Sequence, residues 1–315
     1  MKTTCIINNY NYAKYVGAAI NSVVDQTVAF DEIIVVDDGS TDNSLEVINE
    51  NIKNCENAKL IEKRNEGQLS CLNEGFNVST GDVIFFLDSD DLYLPNYLEQ
   101  ALNFYNNDQE CDFLFCPIQE FGMRNSIKCH YPNYCEKTGA IGNSLLHTLY
   151  RRDWIGCVTS ALSMKRAILY KILPLPIMQE WRISADTCLV FGSSLVGAKK
   201  YFMPKPLIKY RVHEHNNYYG RFFSTSDKFR RKLATEQLIM HIMKKNYYPT
   251  NLYHLIYKEY KTLPNPDYKT TKFYLHLLNR SDFSRDQKKI IKRKILKRYV
   301  TKRLRKSTNF FSKDS

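Results

Sequence analysis

Over residues 3–106 the chain alternates short apolar runs with segments in which apolar residues recur every three or four positions. The runs at 3–8, 32–36, 58–61 and 83–87 are typical of strands that are buried on both faces. Helices are predicted between and after these runs, over 15–26, 68–78 and 96–106, with another following 37–42. Strands that alternate with helices of about a dozen residues predict βαβ units, a parallel sheet and right-handed crossovers.

The second half of the chain has a weaker pattern. Residues 111–116, 154–164 and 201–212 are predicted to be strands, and 144–150 and 180–195 are predicted to contain helices. From Thr225 the sequence is helical, basic and rich in tyrosine. Taken together, the pattern predicts an α/β fold with a Rossmann-like, doubly wound and mainly parallel sheet, followed by a C-terminal helical extension.

Acidic clusters follow two of the predicted strands. Asp37 and Asp38 follow the second strand, and Asp88, Asp90 and Asp91 follow the fourth. The carboxyl ends of parallel strands lie along one edge of a sheet, where open α/β folds bind their ligands. Carboxylates packed this closely repel one another, and their oxygens suit Mg²⁺ or Mn²⁺. The alternative is that each cluster is a solvated turn in which a polar side chain caps the next helix.

Composition and cysteine usage favour a protein of the cytoplasm. The 315 residues are 43% apolar and 25% charged, which is typical of soluble globular proteins. No apolar run reaches the ~18 residues that a membrane span needs, and the N-terminus shows no signal-peptide core. Nine scattered cysteines without a C-x-x-C pair predict reduced thiols, and the spacing of Cys129, His130 and Cys135 matches no common zinc site.

The net charge of +12 is concentrated near the end of the chain. Residues 287–306 contain eleven Lys and Arg and no acid, which leaves the remainder near +1. Such a segment favours an anionic surface as partner, and nucleic acid is not expected because no recognition fold precedes it. The segment carries two apolar rows at i, i+4 and i+8, Ile291/Ile295/Tyr299 and Leu296/Val300/Leu304. These rows do not merge into one face, so a solvated or loosely packed helix and a membrane-surface helix both stay open.

Six short motifs stand in order along most of the chain, from about residue 3 to residue 216. They are Tyr10-Asn11, IIVVDDGSTD at 33–42, Asn65-x-Gly67, FLDSDD at 86–91, Asp186 and YRVHEHN at 210–216. Together they resemble the motifs of the family 2 glycosyltransferases, which have the GT-A fold. Several motifs in the right order are far more specific than any one of them alone.

The resemblance implies a role for each matching residue. It implies that Asp38 accepts the N3–H of a uracil-like base and that Asp186 is the general base. It implies that Asp90, Asp91 and His213 hold Mn²⁺ or Mg²⁺ against the diphosphate of the donor. The implied nucleotide-binding residues are Tyr10, Asp38, Asn65, Gly67, Asp88 and Arg211. A helix cap is the structural alternative for Asp186, and a surface position is the alternative for His213.

Sugar transfer requires residue types of this kind. Displacing a nucleoside diphosphate from an anomeric carbon builds negative charge on the leaving group, which a metal and a cationic side chain stabilise. A carboxylate on the opposite side removes the proton of the acceptor hydroxyl, which typically accelerates a reaction by ~10²–10⁴-fold. A single displacement inverts the anomeric configuration, which is also the outcome that the resemblance to this family implies.

Two other enzyme classes would need motifs that are missing here. A sugar nucleotidyltransferase would be expected to show a glycine-rich loop with Arg or Lys after the first strand, and residues 8–14 contain no glycine. A dinucleotide oxidoreductase would show G-x-G-x-x-G after an early strand, and no early strand is followed by it.

The sequence therefore predicts a metal-dependent, inverting glycosyltransferase that uses a nucleotide-sugar, in the first place a UDP-sugar. Its acceptor would be a hydroxyl of a glycan or lipid-linked glycan in cell-surface polysaccharide synthesis. Residues 1–222 would form the GT-A domain, with a nucleotide-sugar half at 1–117 and an acceptor half at 118–222. Residues 223–315 would form a basic helical extension whose end need not be ordered, placing a cytoplasmic enzyme in peripheral contact with the inner face of the membrane. The alternative is a catalytically silent GT-A-like binding protein, attached to membrane or glycan by this basic segment.

Overall fold

The structure is a computed structural model that describes residues 1–129, 139–176, 180–214, 216, 223–249 and 251–311, with side chains up to residue 304. The strands are β1 (Thr3–Asn9), β2 (Glu32–Asp37), β3 (Ala58–Glu62), β4 (Val83–Asp88), β5 (Leu92–Tyr93), β6 (Phe113–Phe115), β7 (Ile118–Gly122), β8 (Ser126–Lys128), β9 (Gly139–Gly142), β10 (Leu162–Lys165), β11 (Lys200–Phe202) and β12 (Ile208–Val212). The helices are α1 (Ala13–Val24), α2 (Ser44–Ile52), α3 (Gln68–Val78), α4 (Tyr97–Asn107), α5 (Leu145–Arg151), α6 (Arg166–Ile172), α7 (Asp186–Leu195), α8 (Thr225–Lys245), α9 (Ile256–Thr262), α10 (Tyr268–Arg280) and α11 (Arg285–Phe311).

An eight-stranded sheet in the order β3-β2-β1-β4-β10-β6-β11-β9 forms the centre of the described chain. Neighbours among β3, β2, β1 and β4 are parallel, and β11 is parallel to β6. β10 and β9 run antiparallel to their neighbours. The four parallel strands are the apolar runs of the sequence, and β1, β2 and β4 are buried along almost their whole length. The predicted α/β fold with a mainly parallel sheet is confirmed.

The register of the sheet brings the acidic clusters together. Asn9 at the end of β1 pairs with Asp37 of β2, and Asn8 pairs with Asp88 of β4. Both clusters therefore lie at the same edge of the sheet, on either side of β1. This edge is the carboxyl edge of parallel strands, as the sequence pattern predicts.

The segment at 201–212 differs from its prediction as one strand. It forms two strands in two different sheets, because β11 belongs to the large sheet and β12 to a four-stranded sheet in the order β5-β12-β7-β8. Pro204 and Pro206 lie between them, and proline cannot donate a ladder hydrogen bond. The predicted strand over 154–164 is likewise shorter, and only its end forms β10. The second sheet matters for the site because β5 directly follows the second acidic cluster and β12 pairs with β5.

The C-terminal helices share cores with the rest of the protein. Leu238, Ile239 and Ile242 of α8 belong to the main hydrophobic core. A second core joins α5 to the helices α9, α10 and α11, with these buried members: Leu145, Leu146, Leu252, Ile256, Tyr260, Leu263, Tyr274, Leu277, Leu278 and Ile295. The helical extension is thus confirmed, whereas its boundary at residue 222 and the division of the domain at 117 stay predictions.

The carboxylate of Glu259 ties the second core together. It accepts hydrogen bonds from the backbone N–H of Leu146 at 3.0 Å and from the hydroxyl of Tyr274 at 2.7 Å. Leu146 lies in the first turn of α5, where backbone N–H groups have no partner within the helix. A residue of α9 therefore caps α5, which lies in the predicted acceptor half.

The long helix α11 buries one of its two apolar rows. Ile295 is fully buried in the second core and Ile291 packs beside it, whereas Leu296 and Val300 are 38% and 52% exposed. No helix in the described ranges is both long and apolar enough to cross a membrane. Residues 312–315, at the predicted disordered end, lie outside the described residues.

Among the eight cysteines in the described ranges, one departs from the prediction, and Cys135 lies outside the described residues. Seven of them are free thiols, as the sequence predicts: Cys5, Cys55, Cys71, Cys111, Cys116, Cys157 and Cys188. Cys129 is disulfide-bonded, so the prediction of reduced thiols throughout is wrong there. Cys129 directly follows β8, at the beginning of the segment 130–138 that lies outside the described residues.

Candidate active site

A cavity of about 610 Å³ lies at the carboxyl edge of β1, β2 and β4. Seven of the ten predicted site residues line it: Tyr10, Asp38, Asn65, Gly67, Asp88, Asp90 and Asp186. The other three, Asp91, Arg211 and His213, are not part of its lining. A cavity of this size is typical of a small-molecule site.

Asp38 forms the floor of one end of the cavity. Its Oδ1 accepts from Lys63 Nζ at 2.8 Å and from the backbone N–H of Glu66 at 2.9 Å. Its Oδ2 accepts from the backbone N–H of Gly67 at 2.7 Å. A carboxylate offers about four acceptor positions, so Oδ2 can accept one further N–H from a ligand. The loop after β3 thus holds Asp38 in place and leaves one acceptor position toward the cavity.

Tyr10 lies beside this end because the turn after β1 is fixed. Asn11 adopts a left-handed backbone conformation with φ of 55°, and its Oδ1 accepts from the backbone N–H of Thr41 at 2.7 Å. Its own backbone N–H donates to Ser40 Oγ at 2.8 Å. These contacts join the turn to the loop after β2. The ring of Tyr10 is 42% exposed and free to stack on a planar group.

Position 67 requires glycine because the loop after β3 lies directly against the backbone of Arg182. Its φ is +96°, and a Cβ built on it would lie 2.4 Å from the Cα of Arg182. The side chain of Arg182 in turn donates to the Oδ1 of Asn65. Asn65 and Gly67 therefore connect the nucleotide half of the chain to the segment that leads into α7.

Asp88 and Asp90 form the acidic centre of the cavity. Burial, together with the charge of Asp90, raises the pKa of Asp88 to about 7. Its Oδ1 accepts from Gln68 Nε2 at 2.8 Å. Asp90 accepts from His213 Nε2 at 3.1 Å and from Asn216 Nδ2 at 3.3 Å. Two carboxylates in a buried site disfavour each other's charge, which a cation would relieve.

Asp91 lies behind the cavity wall. It is fully buried, and its oxygens accept from Ser160 Oγ at 2.6 Å and from the backbone N–H of Arg211 at 2.8 Å. Burial and the charges of Asp90 and Asp88 raise its pKa well above the usual range. These contacts join the end of β4 to β12. The predicted metal-ligand role of Asp91 stays a prediction that the geometry does not favour.

Arg211 and His213 approach the acidic centre from β12. The guanidinium of Arg211 lies 4.7 Å from the ring of Tyr15 and 4.3 Å from that of Phe121, and its Nε donates to the carbonyl oxygen of Asp90 at 2.8 Å. The ring of His213 packs against Tyr15 at a centroid distance of 4.9 Å. His213 contacts a predicted metal ligand directly, whereas Arg211 supports the loop that carries it. His215, the other histidine of the motif, lies outside the described residues.

The pair Asp90 and His213 fits a divalent cation that receives its other ligands from a substrate. Asp90 Oδ2 and His213 Nε2 lie 3.1 Å apart and are hydrogen-bonded to each other; both ligand types suit Mn²⁺, which would replace that hydrogen bond. No cluster of three or more His, Cys, Asp or Glu side chains within the described ranges could hold an ion alone. Mg²⁺ and Mn²⁺ at nucleotide sites commonly use few protein ligands and complete their shell with phosphate and water.

Asp186 is the first residue of α7 and lines the cavity. Its Oδ1 accepts from the backbone N–H of Thr187 at 2.7 Å, and its carboxylate lines the cavity. Burial raises its pKa to about 6, while the charge of Arg231 opposes this shift. A carboxylate with a pKa near 6 is ionised at neutral pH and yet basic enough to take up a proton.

The structure adds residues that the motifs did not identify. Gln68, Arg182, Arg231 and Trp154 line the cavity, whereas Trp181 is buried in the core. Gln68 directly follows the Asn65-x-Gly67 motif, so a local signal existed for it. Arg182 and Arg231 reach the site only through the fold, from segments that carry no motif.

Solved structures with the same architecture cover almost the whole chain. S. aureus TarS 1–349 in complex with UDP-GlcNAc has a TM-score of 0.55 and 19% sequence identity, covering 96% of this chain and 73% of that one. The complex of the same protein with UDP has a TM-score of 0.57 at 21% identity, over 91% of this chain and 73% of that one. At this identity the likeness concerns the fold, and it confirms the GT-A prediction.

Sequence relatives identify the family. The chain is 33% identical over 229 residues to an uncharacterized glycosyltransferase of Nostoc sp., alr2836, covering 72% of this chain and 70% of that protein. It is 37% identical to a chondroitin synthase of Pasteurella multocida over 100 residues, which are 32% of this chain but 10% of that protein. The family described as glycosyl transferase family 2 matches residues 4–173, which is more than half of the chain. The chain therefore belongs to the family 2 glycosyltransferases.

Proposed function

We propose that this protein is an inverting, metal-dependent glycosyltransferase that moves a hexosyl or N-acetylhexosaminyl group from a UDP-sugar to a hydroxyl of a glycan. The observation that carries the proposal is the arrangement of carboxylates in one cavity. Asp38 follows β2, Asp88 and Asp90 lie at the end of β4, Asp186 begins α7, and all four line the cavity. A nucleotide, a diphosphate and an acceptor hydroxyl each require groups of this kind.

The nucleotide would occupy the end that Asp38 and Tyr10 form. Asp38 Oδ2 has acceptor capacity for the N3–H of uracil, and the exposed ring of Tyr10 would stack on the base. Asp88 would bind the ribose, with Gly67 and Asn65 shaping the wall beside it. The fold neighbour TarS was crystallised with UDP and with UDP-GlcNAc, which supports a uridine nucleotide as the donor.

Asp90 and His213 would hold Mn²⁺ or Mg²⁺ next to the diphosphate. Such an ion supplies positive charge that stabilises the departing nucleoside diphosphate. His213 Nε2 and Asn216 Nδ2 donate to Asp90 Oδ2 and hold this carboxylate in place. Arg211 keeps the backbone of Asp90 in place through its bond to the carbonyl oxygen and its stacking on Tyr15 and Phe121.

Asp186 would remove the proton of the acceptor hydroxyl as the oxygen attacks the anomeric carbon. The bond from carbon to the diphosphate oxygen breaks as the bond to the acceptor oxygen forms, so the configuration is inverted. No second carboxylate nucleophile is needed for one displacement. The backbone N–H of Thr187 fixes one oxygen of Asp186 and leaves the other for the proton.

The acceptor would be a glycan or a lipid-linked glycan of a cell-surface polysaccharide. Relatives named for chondroitin and hyaluronan synthesis match about a third of this chain, which supports a polysaccharide acceptor. The exposed part of α11, with Leu296 and Val300 among basic residues, supports peripheral contact with an anionic membrane, where lipid-linked acceptors are found. The enzyme would then act at the inner face of that membrane.

A thermal-shift panel tests the donor. Nucleoside diphosphates and nucleotide-sugars are added with and without Mn²⁺, since a ligand that binds the folded state stabilises it by ~2.7 kcal/mol at a hundredfold excess over Kd. We expect a shift for UDP, and a larger one for one UDP-sugar, only when metal is present. A shift confined to another nucleotide would contradict the role of Asp38.

The Asp186→Asn variant tests the reaction. We expect transfer, and UDP release from the donor in the absence of acceptor, to fall by ~10²–10⁴-fold, with UDP affinity nearly unchanged. Asp25→Asn, an exposed substitution outside the cavity, is the control and should retain full activity. Full activity of Asp186→Asn would refute the base assignment. Failure of the wild-type protein to release UDP with any donor would favour the silent binding protein.

A further inference from the structure

Gln68 connects the carboxylate of Asp88 to the backbone that leads into Asp186, and both acids line the cavity. Its Nε2 donates to Asp88 Oδ1 at 2.8 Å, and its Oε1 accepts from the backbone N–H of Ala185 at 2.8 Å. A carboxylate needs a donor and an N–H needs an acceptor, so this orientation of the amide is the one that satisfies both partners. Ala185 is the residue immediately before Asp186, and its N–H lies at the start of α7.

The backbone at the beginning of α3 strengthens this connection. The N–H of Gln68 donates to the carbonyl oxygen of Arg182 at 3.0 Å, and that of Leu69 donates to Trp181 at 3.3 Å. N–H groups in the first turn of a helix have no partner within that helix. The segment 181–185 therefore accepts the free N–H groups at the N-terminus of α3, and Asp186 is the next residue after it.

We infer that Gln68 is a positioning residue that sets the distance between Asp186 and the donor bound at Asp88. The inference rests on the proposed function, because it takes Asp186 as the base and Asp88 as a donor-binding residue. It assigns Gln68 no contact with the reacting atoms. A general base must lie within hydrogen-bond reach of the acceptor hydroxyl, and a displacement of about 1 Å can cost ~10²-fold in rate. Gln68 joins the donor side and the base side through one planar amide, whose length leaves little freedom between them.

The Gln68→Met variant removes the hydrogen bonds to Asp88, Thr159 and Ala185 and keeps nearly the same length and volume. We expect UDP release per binding site to fall by roughly 10–100-fold, because Asp186 loses its fixed distance from Asp88. UDP affinity should change by less than about 3-fold, because Asp38 and Tyr10 are untouched and Asp88 keeps its side-chain hydrogen bond with Asn8. The probe is UDP release from the UDP-sugar that gives the largest thermal shift, with binding sites counted by UDP titration.

Gln26→Met is a matched control. Gln26 is a second bridging amide, whose Nε2 donates to the carbonyl oxygen of Leu94 at 2.8 Å and whose Oε1 accepts from the N–H of Leu98 at 2.9 Å. It is buried and does not line the cavity. Its loss should lower the melting temperature and leave UDP release per binding site at the wild-type value.

The outcomes separate this inference from the function on which it rests. Wild-type release by Gln68→Met, while Asp186→Asn is inactive, overturns the role of Gln68 and leaves the proposed reaction intact. A lower melting temperature and fewer UDP sites, with unchanged release per site, would show that Gln68 is only structural. Full activity of Asp186→Asn refutes the base assignment itself, whatever Gln68→Met does.

Discussion

The buried carboxylate of Asp186 lowers the stability of the folded protein at neutral pH, and the same burial gives it the pKa of a general base. Burial raises its pKa to about 6, so at neutral pH the folded protein holds an ionised carboxylate that the unfolded chain holds at lower cost. The native state binds the proton more tightly than the unfolded state does. Stability from this group is therefore present below the unfolded pKa of about 4 and is lost as pH rises through about 6.

The Asp186→Asn variant should accordingly be more stable than the wild type at neutral pH. We expect a gain of about 1–3 kcal/mol at about pH 7.5 that disappears below about pH 4, because the amide has no charge to bury and can still accept from Thr187. Urea denaturation at several pH values measures this. An unchanged or lower stability at pH 7.5 would contradict the raised pKa.

The activity of the wild type should depend on pH in the opposite direction. A base with a pKa of about 6 is protonated below that pH, so turnover should fall by about tenfold for each unit below 6 and level off above it. The measurement is the pH profile of UDP release at saturating donor and metal. A profile that stays flat down to about pH 5 would remove Asp186 from the rate-limiting step.

Gly67 should not tolerate a side chain. Alanine there would combine a left-handed backbone with a Cβ 2.4 Å from the Cα of Arg182, so we expect a loss of stability of more than about 3 kcal/mol and weaker UDP binding. Gly197 is the matched control, since its φ is +77° but nothing lies within 4 Å of an added Cβ. Gly197→Ala should cost about 1–2 kcal/mol. Equal losses in both variants would show that the contact with Arg182 can relax.

The acidic clusters that the sequence predicted lie at the ends of strands, and the hydrophobic pattern of the strands is enough to place them. Asp38 and Asp88 end apolar strands, so the parallel sheet alone brings them to one edge. Arg182 and Arg231 lie in segments whose position depends on tertiary packing, far along the chain from their partners. The sequence pattern shows that these residues are polar but not where they point.

At the scale of elements, β1 to β4 and the helices between them follow directly from hydrophobic periodicity. The second sheet does not, because β5 has two residues and β12 is separated from β11 by a short segment with two prolines. Residues 201–212 have strand-forming side chains on both sides of Pro204 and Pro206, and the chain leaves the first sheet at these prolines. That turn places β12, and with it Arg211 and His213, beside the acidic centre.

The packing of α11 predicts different stability costs for substitutions in its two apolar rows. Ile295 is fully buried in the second core, so Ile295→Ala should cost about 2–4 kcal/mol. Leu296, the next residue along the helix, is 38% exposed, and Leu296→Ala is the matched control with an expected cost below about 1 kcal/mol. Chemical denaturation of both variants gives the comparison. Equal costs would mean that α11 packs on the other row or does not dock.

The whole molecule is an almost neutral domain attached to a strongly basic helix, and this asymmetry has a consequence at membranes. Residues 287–306 contain eleven Lys and Arg, and Leu296 and Val300 of the same helix are partly exposed apolar side chains. Attraction to anionic lipid and insertion of the apolar side chains should act together. We therefore expect sedimentation with vesicles that contain about 30% anionic lipid and none with neutral vesicles.

Salt and substitution separate the two contributions to this binding. Raising the salt from roughly 0.05 to 0.5 M should release most of the protein, since screening removes the attraction between exposed charges. Leu296→Ser with Val300→Ser should weaken binding at every salt concentration and lower the melting temperature only slightly, because both side chains are partly exposed. Met240→Ser on α8, where the residue is 62% exposed, is the control for lost surface hydrophobicity and should bind as the wild type does. Equal binding to neutral vesicles, or no effect of the double substitution, would contradict a membrane role for α11 and leave its basic charge to be explained by another polyanion.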